Sequence, residues 1–102
     1  MALNIAIDEL RATGWTDLDS VGCAHDVDGR AYPTVERVAR EFAAAGCTLG
    51  VRHVLLFDCY RAEWSDATGR PLGAVVGSTQ AEAAVFALTH LRRQMAAGAT
   101  AN

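Results

Sequence analysis

The densest run of side chains able to ligate or catalyse in this 102-residue chain is Cys23-Ala24-His25-Asp26-Val27-Asp28-Gly29. Set as a calcium loop with Gly29 at the loop glycine, it places Asp26 and Asp28 correctly. The first ligand then becomes Ala24 and the closing glutamate becomes Val35, so the pattern fails for calcium. A transition-metal site or small enzyme built on Cys23, His25 and Asp26 would need ligands from elsewhere, and structural zinc sites announce themselves with two spaced pairs. The simpler reading is an acidic surface turn, with no metal and no other cofactor. His53, Asp58 and Cys59 could supply a thiol and a base. On one extended strand, however, Asp58 and Cys59 point to opposite faces, and His53 sits roughly 20 Å from Cys59. Cys59 then reads as a small core residue on the side of Leu55 and Phe57. His90 falls beside an apolar helical stripe, a flank position and not that of a base. No catalytic residue is expected.

Charge narrows the chemistry further. All nine basic residues are arginine, so Schiff-base and phosphate-loop lysine chemistry are excluded. The net charge of −3 conceals an asymmetry. Residues 1–29 hold six acids (Asp8, Glu9, Asp17, Asp19, Asp26, Asp28) against Arg11, whereas residues 30–102 hold eight arginines against six acids. Mean hydropathy of +0.11 with 51% apolar residues describes a globular chain with material for a core. No apolar run approaches the ~18 residues of a membrane span, and Asp8-Glu9 interrupts any signal-like segment, so a cytoplasmic protein is expected. Three cysteines without CxxC spacing read as thiols and not as a disulfide framework.

The elements that must position these residues follow from periodicity. Asn4 is expected to cap a helix over residues 5–12, with Leu3, Ile7 and Leu10 on one side and Gly14 ending it. Residues 15–32 show no period and read as a long acidic loop, with a single helical turn at 17–21. Pro33 is expected to open the next helix, whose stripe is Val35, Val38, Ala39, Phe42 and Ala43 and whose stop is Gly46. Residues 47–64 exceed one strand, so Gly50 should split them into a short piece and a long strand from residue 54. Ser65-Asp66-Ala67-Thr68-Gly69 is turn chemistry, residues 72–76 return as the partner strand, and Pro71 suits a strand start. Thr79-Gln80-Ala81-Glu82 is a capping box for a helix over residues 80–96, with Arg92-Arg93 complementing its C-terminus. No internal repeat is read.

The expected fold is α+β and two-layered: helices packed on a short antiparallel β-sheet in the order α-α-β-β-α. A third short strand would come from the Cys47 segment or from another copy in a homodimer, because two strands are too few for a stable sheet. The 102 residues form a single domain, with residues 1–32 as helix and acidic loop, 33–96 as an α-β-β-α core and 97–102 as a frayed tail.

Two resemblances bear on this arrangement. Tyr32-Pro33-Thr34, Ala39-Arg40-Glu41-Phe42, Trp64, residues 73–79 and the Ala-rich final helix resemble the phage ABA sandwich domains, which implies helix, strands and helix in this order. Gly50-Val51-Arg52-His53 with Phe57 resembles the lead-in to the second strand of double-stranded RNA binding domains, with Gly73, Val75, Gly77, Thr79 and Ala83 in the register of that family's third strand and final helix. The lysine pair that grips phosphate in that family falls here on Gln80 and Ala81, which removes the main electrostatic term of RNA binding.

The function expected is non-enzymatic: a small acidic interaction protein that binds a basic protein partner, phage-derived and anti-CRISPR-like in one concrete version. The surface assigned to it is the acidic loop, Asp17, Asp19, Asp26 and Asp28, with Trp15 as an anchor. Trp15 and Trp64 could equally close the two ends of the core. The alternative is a degenerate dsRBD-like nucleic-acid-binding domain using Arg52, His53, Arg61 and Arg70. No membrane partner is expected.

Overall fold

The computed structural model describes residues 2–16 and 22–100. Among the described residues, three α-helices, α1 (Ala2–Ala12), α2 (Val35–Ala44) and α3 (Gln80–Thr100), combine with five strands in an α+β fold. β1 (Cys23–His25) and β2 (Ala31–Pro33) form a hairpin of their own, while β3 (Thr48–Val54), β4 (Cys59–Ser65) and β5 (Pro71–Gly77) form an antiparallel sheet with β4 central.

Opposed residues share a face of the sheet, so its register sorts the side chains. The rows Leu49–Trp64–Gly73 and Val51–Ala62–Val75 face the helices, and Gly50–Glu63–Ala74 and Arg52–Arg61–Val76 face outward. Phe42 is fully buried at the centre of the α2 stripe, its ring 5.4 Å from that of Trp64. Glycines admit the two closest approaches. A Cβ on Gly73 would stand 2.5 Å from the Trp64 ring, and one on Gly77 would stand 2.7 Å from the backbone nitrogen of Ala83. The second contact lets the end of β5 lie directly against the start of α3.

Helix ends follow their sequence signals, with several shifts. Thr34 caps α2 by accepting from the amide of Arg37 at 3.2 Å, so Pro33 closes β2 instead of opening the helix. Gly46 at φ +81° ends α2, with Gly46 N–H donating to Ala43 O at 3.0 Å and Cys47 N–H to Phe42 O at 2.9 Å, a Schellman closure. Asn4 lies inside α1, not at its cap, and its side-chain oxygen accepts from Arg30 at 3.2 Å. α3 runs on to Thr100, so the segment from 97 to 100 is helix and not tail, and Arg92 lies mid-helix. Arg92 instead serves the end of α1, donating through Nε to Thr13 Oγ1 at 2.8 Å and through Nη2 to Thr13 O at 3.3 Å.

The strands depart furthest from expectation. Gly50 does not break β3, and the long strand expected from residue 54 is a hairpin folded back between Val54 and Cys59. Nor is the segment 15–32 one loop, since it holds the β1–β2 hairpin. The helical turn expected at residues 17–21 lies outside the described residues, as do residues 101 and 102.

Candidate docking site

The connection from β3 to β4 is a 3₁₀ turn, Leu55–Phe57, closed by Asp58 in the left-handed region at φ 47°. Aspartate tolerates that conformation better than most residues, and its amide donates back to Leu55 O at 3.3 Å. At the base of the turn, His53 and Asp58 are hydrogen-bonded at 3.1 Å (Nε2 to Oδ1), and the His53 ring lies 4.8 Å from that of Tyr60. Strand pairing therefore brings His53 and Asp58 together, where a single extended strand would have kept them apart. Cys59 is half-buried and does not share a core with Leu55 and Phe57, because those two are in solvent.

Among the described residues Val27 is the most exposed large apolar side chain, at 97%, but it stands alone in its turn, whereas the three residues of this turn are consecutive. Leu55, Leu56 and Phe57 are 82%, 84% and 74% exposed. Burying each such side chain is worth about 1.5–3 kcal/mol, and turns are normally built from Gly, Pro, Asn, Asp or Ser. A contiguous apolar projection is what a docking anchor looks like. Beside it, a cleft of about 860 Å³ runs between the β1–β2 hairpin and the starts of α2 and α3. Tyr32 and Tyr60 line this cleft, and its two charged lining residues, Glu36 and Asp58, are both acids.

The acidic loop is less available than its composition suggests. Asp26 is the hub of the β1–β2 turn. Its Oδ1 accepts from the amides of Asp28 at 2.9 Å and Arg30 at 2.8 Å, and its side chain is only 3% exposed. The Arg30 amide, then the Asp28 amide and the Arg30 guanidinium, hold the Asp26 carboxyl below its ordinary range against the opposing effect of burial. Arg30 also pairs with Asp8, which strengthens its hold on its proton. Asp28 is exposed, whereas Asp17 and Asp19 lie outside the described residues. Trp15 is 4% exposed, with Arg11 stacked 5.9 Å from its ring centroid, so it belongs to the core and is no surface anchor.

The basic set is partly engaged where it stands, with two arginines sharing one carboxylate. Arg52 Nε donates to Glu63 Oε1 at 3.1 Å, Arg61 Nε lies 3.5 Å from Glu63 Oε2, and these two cations pull the Glu63 carboxyl down, Arg52 most strongly. His53 is engaged with Asp58, and Arg70 is exposed in the β4–β5 turn. Cys23 and His25 stand two apart on β1 and so share one face of it, and Cys47 and Cys59 are half-buried thiols. Among the described residues, no three His, Cys, Asp or Glu side chains converge to hold a metal ion. His90 is exposed, its ring 6.1 Å from that of Trp64. No described helix is long and apolar enough to cross a membrane.

No family model matches the chain, and neither a curated protein nor a solved structure matches it. The site must be read from its own chemistry. Sequence reasoning passed over Leu55, Leu56 and Phe57 because apolar residues in a β-rich segment read as core. The available signal was Asp58, a turn-forming residue inside a stretch too long for one strand.

Proposed function

We propose that this protein acts by docking and not by catalysis, inserting the tip of the β3–β4 hairpin into an apolar pocket on a basic protein partner. The exposure of three consecutive large apolar residues at a structured turn carries the reading. Asp58 at the foot of the tip and Glu36 across the adjoining cleft favour cations on the rim of that pocket, and Tyr32 and Tyr60 offer the amphipathic surface favoured in interfaces. Nucleic-acid-binding proteins carry such cationic surfaces, so an inhibitor of one, anti-CRISPR-like in its logic, is the concrete form this function takes. The acidic loop contributes through Asp28, while Asp26 serves the turn.

The test compares capture from a lysate of the source organism by the parent, Leu56→Asp and Asp28→Asn proteins. The position is exposed, so Leu56→Asp should leave the melting curve within about 0.5 kcal/mol of the parent. Loss of an anchor at the centre of an interface costs at least about 2 kcal/mol of binding, roughly thirtyfold. A specific basic protein retained by the parent and lost with Leu56→Asp is the expected result. A salt-sensitive gel shift with duplex RNA that Arg52→Ala and Arg70→Ala weaken and Leu56→Asp does not would replace this reading with the nucleic-acid one.

A further inference from the structure

The outer edge of β5 offers a second surface, independent of the hairpin tip. β5 pairs only with β4, and among the described residues nothing hydrogen-bonds to its other side. An unpaired strand edge is a template for another strand, and proteins blunt such edges with charges, prolines and bulges. β3, the opposite edge of the sheet, carries Arg52 and His53. β5 has no charged residue, and its two devices, Pro71 and the register shift that leaves Leu72 as the extra residue, are confined to its first end. Residues 73–77 remain regular and uncharged, with Ala74 and Val76 exposed and Gly77 buried against the start of α3.

We propose that this edge pairs with the same edge of a second copy, antiparallel about a twofold axis at Val75, giving one continuous six-stranded sheet. The five residues Gly73-Ala74-Val75-Val76-Gly77 are self-complementary in that register. On the helix-facing side, Gly–Val–Gly meets Gly–Val–Gly. On the open side, Ala74 of each copy lies opposite the partner's Val76, a small residue against a large one. The same two positions are exposed in the single chain, Val76 by 56%. An isologous contact of this kind satisfies the backbone of both edges at once and closes, so it yields dimers and not fibres.

Sedimentation equilibrium over an about hundredfold concentration range should show the mass rising from monomer towards dimer. Ala74→Lys and Val76→Glu each set a charge against an apolar partner residue at both ends of the seam, and each should weaken association about tenfold or more. Both should keep the fold, because Ala74 is paired with Glu63 and Val76 with Arg61 on β4, where the new charges find opposite neighbours. Melting curves of dilute samples check this. Mixing the two variants should restore a mixed dimer through Lys opposite Glu. A chain that stays monomeric throughout, or a dimer that Leu56→Asp abolishes and Ala74→Lys does not, would overturn the proposal. The second outcome would assign self-association to the tip.

Discussion

Phe42 and Asp26 show how differently two residues can hold the same molecule together. Phe42 acts by volume: fully buried against Trp64, it should cost about 3–5 kcal/mol when cut to alanine, measured by urea melts of mutant and parent. Asp26 acts by charge and geometry, and neighbouring Asp28 does neither. Asp28→Asn should therefore stay within about 0.5 kcal/mol of the parent, while Asp26→Asn should lower the melting temperature clearly. Acid probes the Asp26 carboxylate directly. Asp26 and Asp66, ordinarily at 3.8, and Glu63, ordinarily at 4.5, all have lowered values in the fold. A depressed carboxyl contributes stability that is complete above its ordinary value and is lost as pH falls through the lowered folded one. Thermal melts carried from neutral pH into this acid range should show the parent losing stability, with a shallower slope in Asp26→Asn.

The hairpin turns reveal a local code that composition hid. Asp26-Val27-Asp28-Gly29-Arg30 and Asp66-Ala67-Thr68-Gly69-Arg70 fold alike. In each, the first aspartate accepts from the amides two and four residues on, and the glycine at φ +80° or +88° donates back to the aspartate carbonyl. Each is a tight turn with a left-handed glycine, the standard way to close a short hairpin. The Thr68 hydroxyl, followed by the Arg70 amide, lowers the Asp66 carboxyl much as the Arg30 amide lowers Asp26. At the start of α3, Thr79 Oγ1 accepts from the amide of Glu82 at 3.1 Å, and the Glu82 carboxylate returns to the amide and hydroxyl of Ser78. Thr79→Ala should cost about 1 kcal/mol in urea melts. A mutant that melts with its parent would place the start of α3 elsewhere.

Across the described molecule, α3 is the element on which the other helices and the three-stranded sheet lean. It packs against α1, α2 and all three strands of the sheet, and its buried run from Glu82 to Val85 continues through Ala87, Leu88 and Thr89. α1 is joined to it by apolar contact and by Arg92, whose guanidinium serves the C-terminal end of α1 as a cation should. Arg92→Ala should leave the sheet intact and loosen α1 selectively. Hydrogen exchange would read this as faster exchange of α1 amides with unchanged protection in β4. Equal loosening of both would mean that α1 and the sheet unfold as one unit.

The helices and the β4–β5 hairpin were legible because their signals are local: the 3.6-residue stripe through Phe42, Gly46 in the left-handed region, the Thr79 cap, and Asp66 with Gly69. The β3–β4 hairpin and the β1–β2 hairpin were not legible. Val54 to Cys59 holds no glycine or proline, and the acids around Asp26 read as charge before they read as turn chemistry. The candidate site shared that fate. Whether an apolar side chain is core or surface depends on where the chain reverses, so Leu55, Leu56 and Phe57 became a projecting tip only through strand pairing. Likewise, Trp15 left the surface, and Arg52 found Glu63 on the neighbouring strand, only when the elements were brought together. Sequence by itself determined the α+β class, the Gly46 stop of α2, the Thr79 cap of α3 and the absence of lysine chemistry, because these depend on residue type or on residues within a few positions of one another. Tertiary structure alone decided which groups are free to meet a partner, because exposure and ion pairing are properties of residues distant in the chain and adjacent in space.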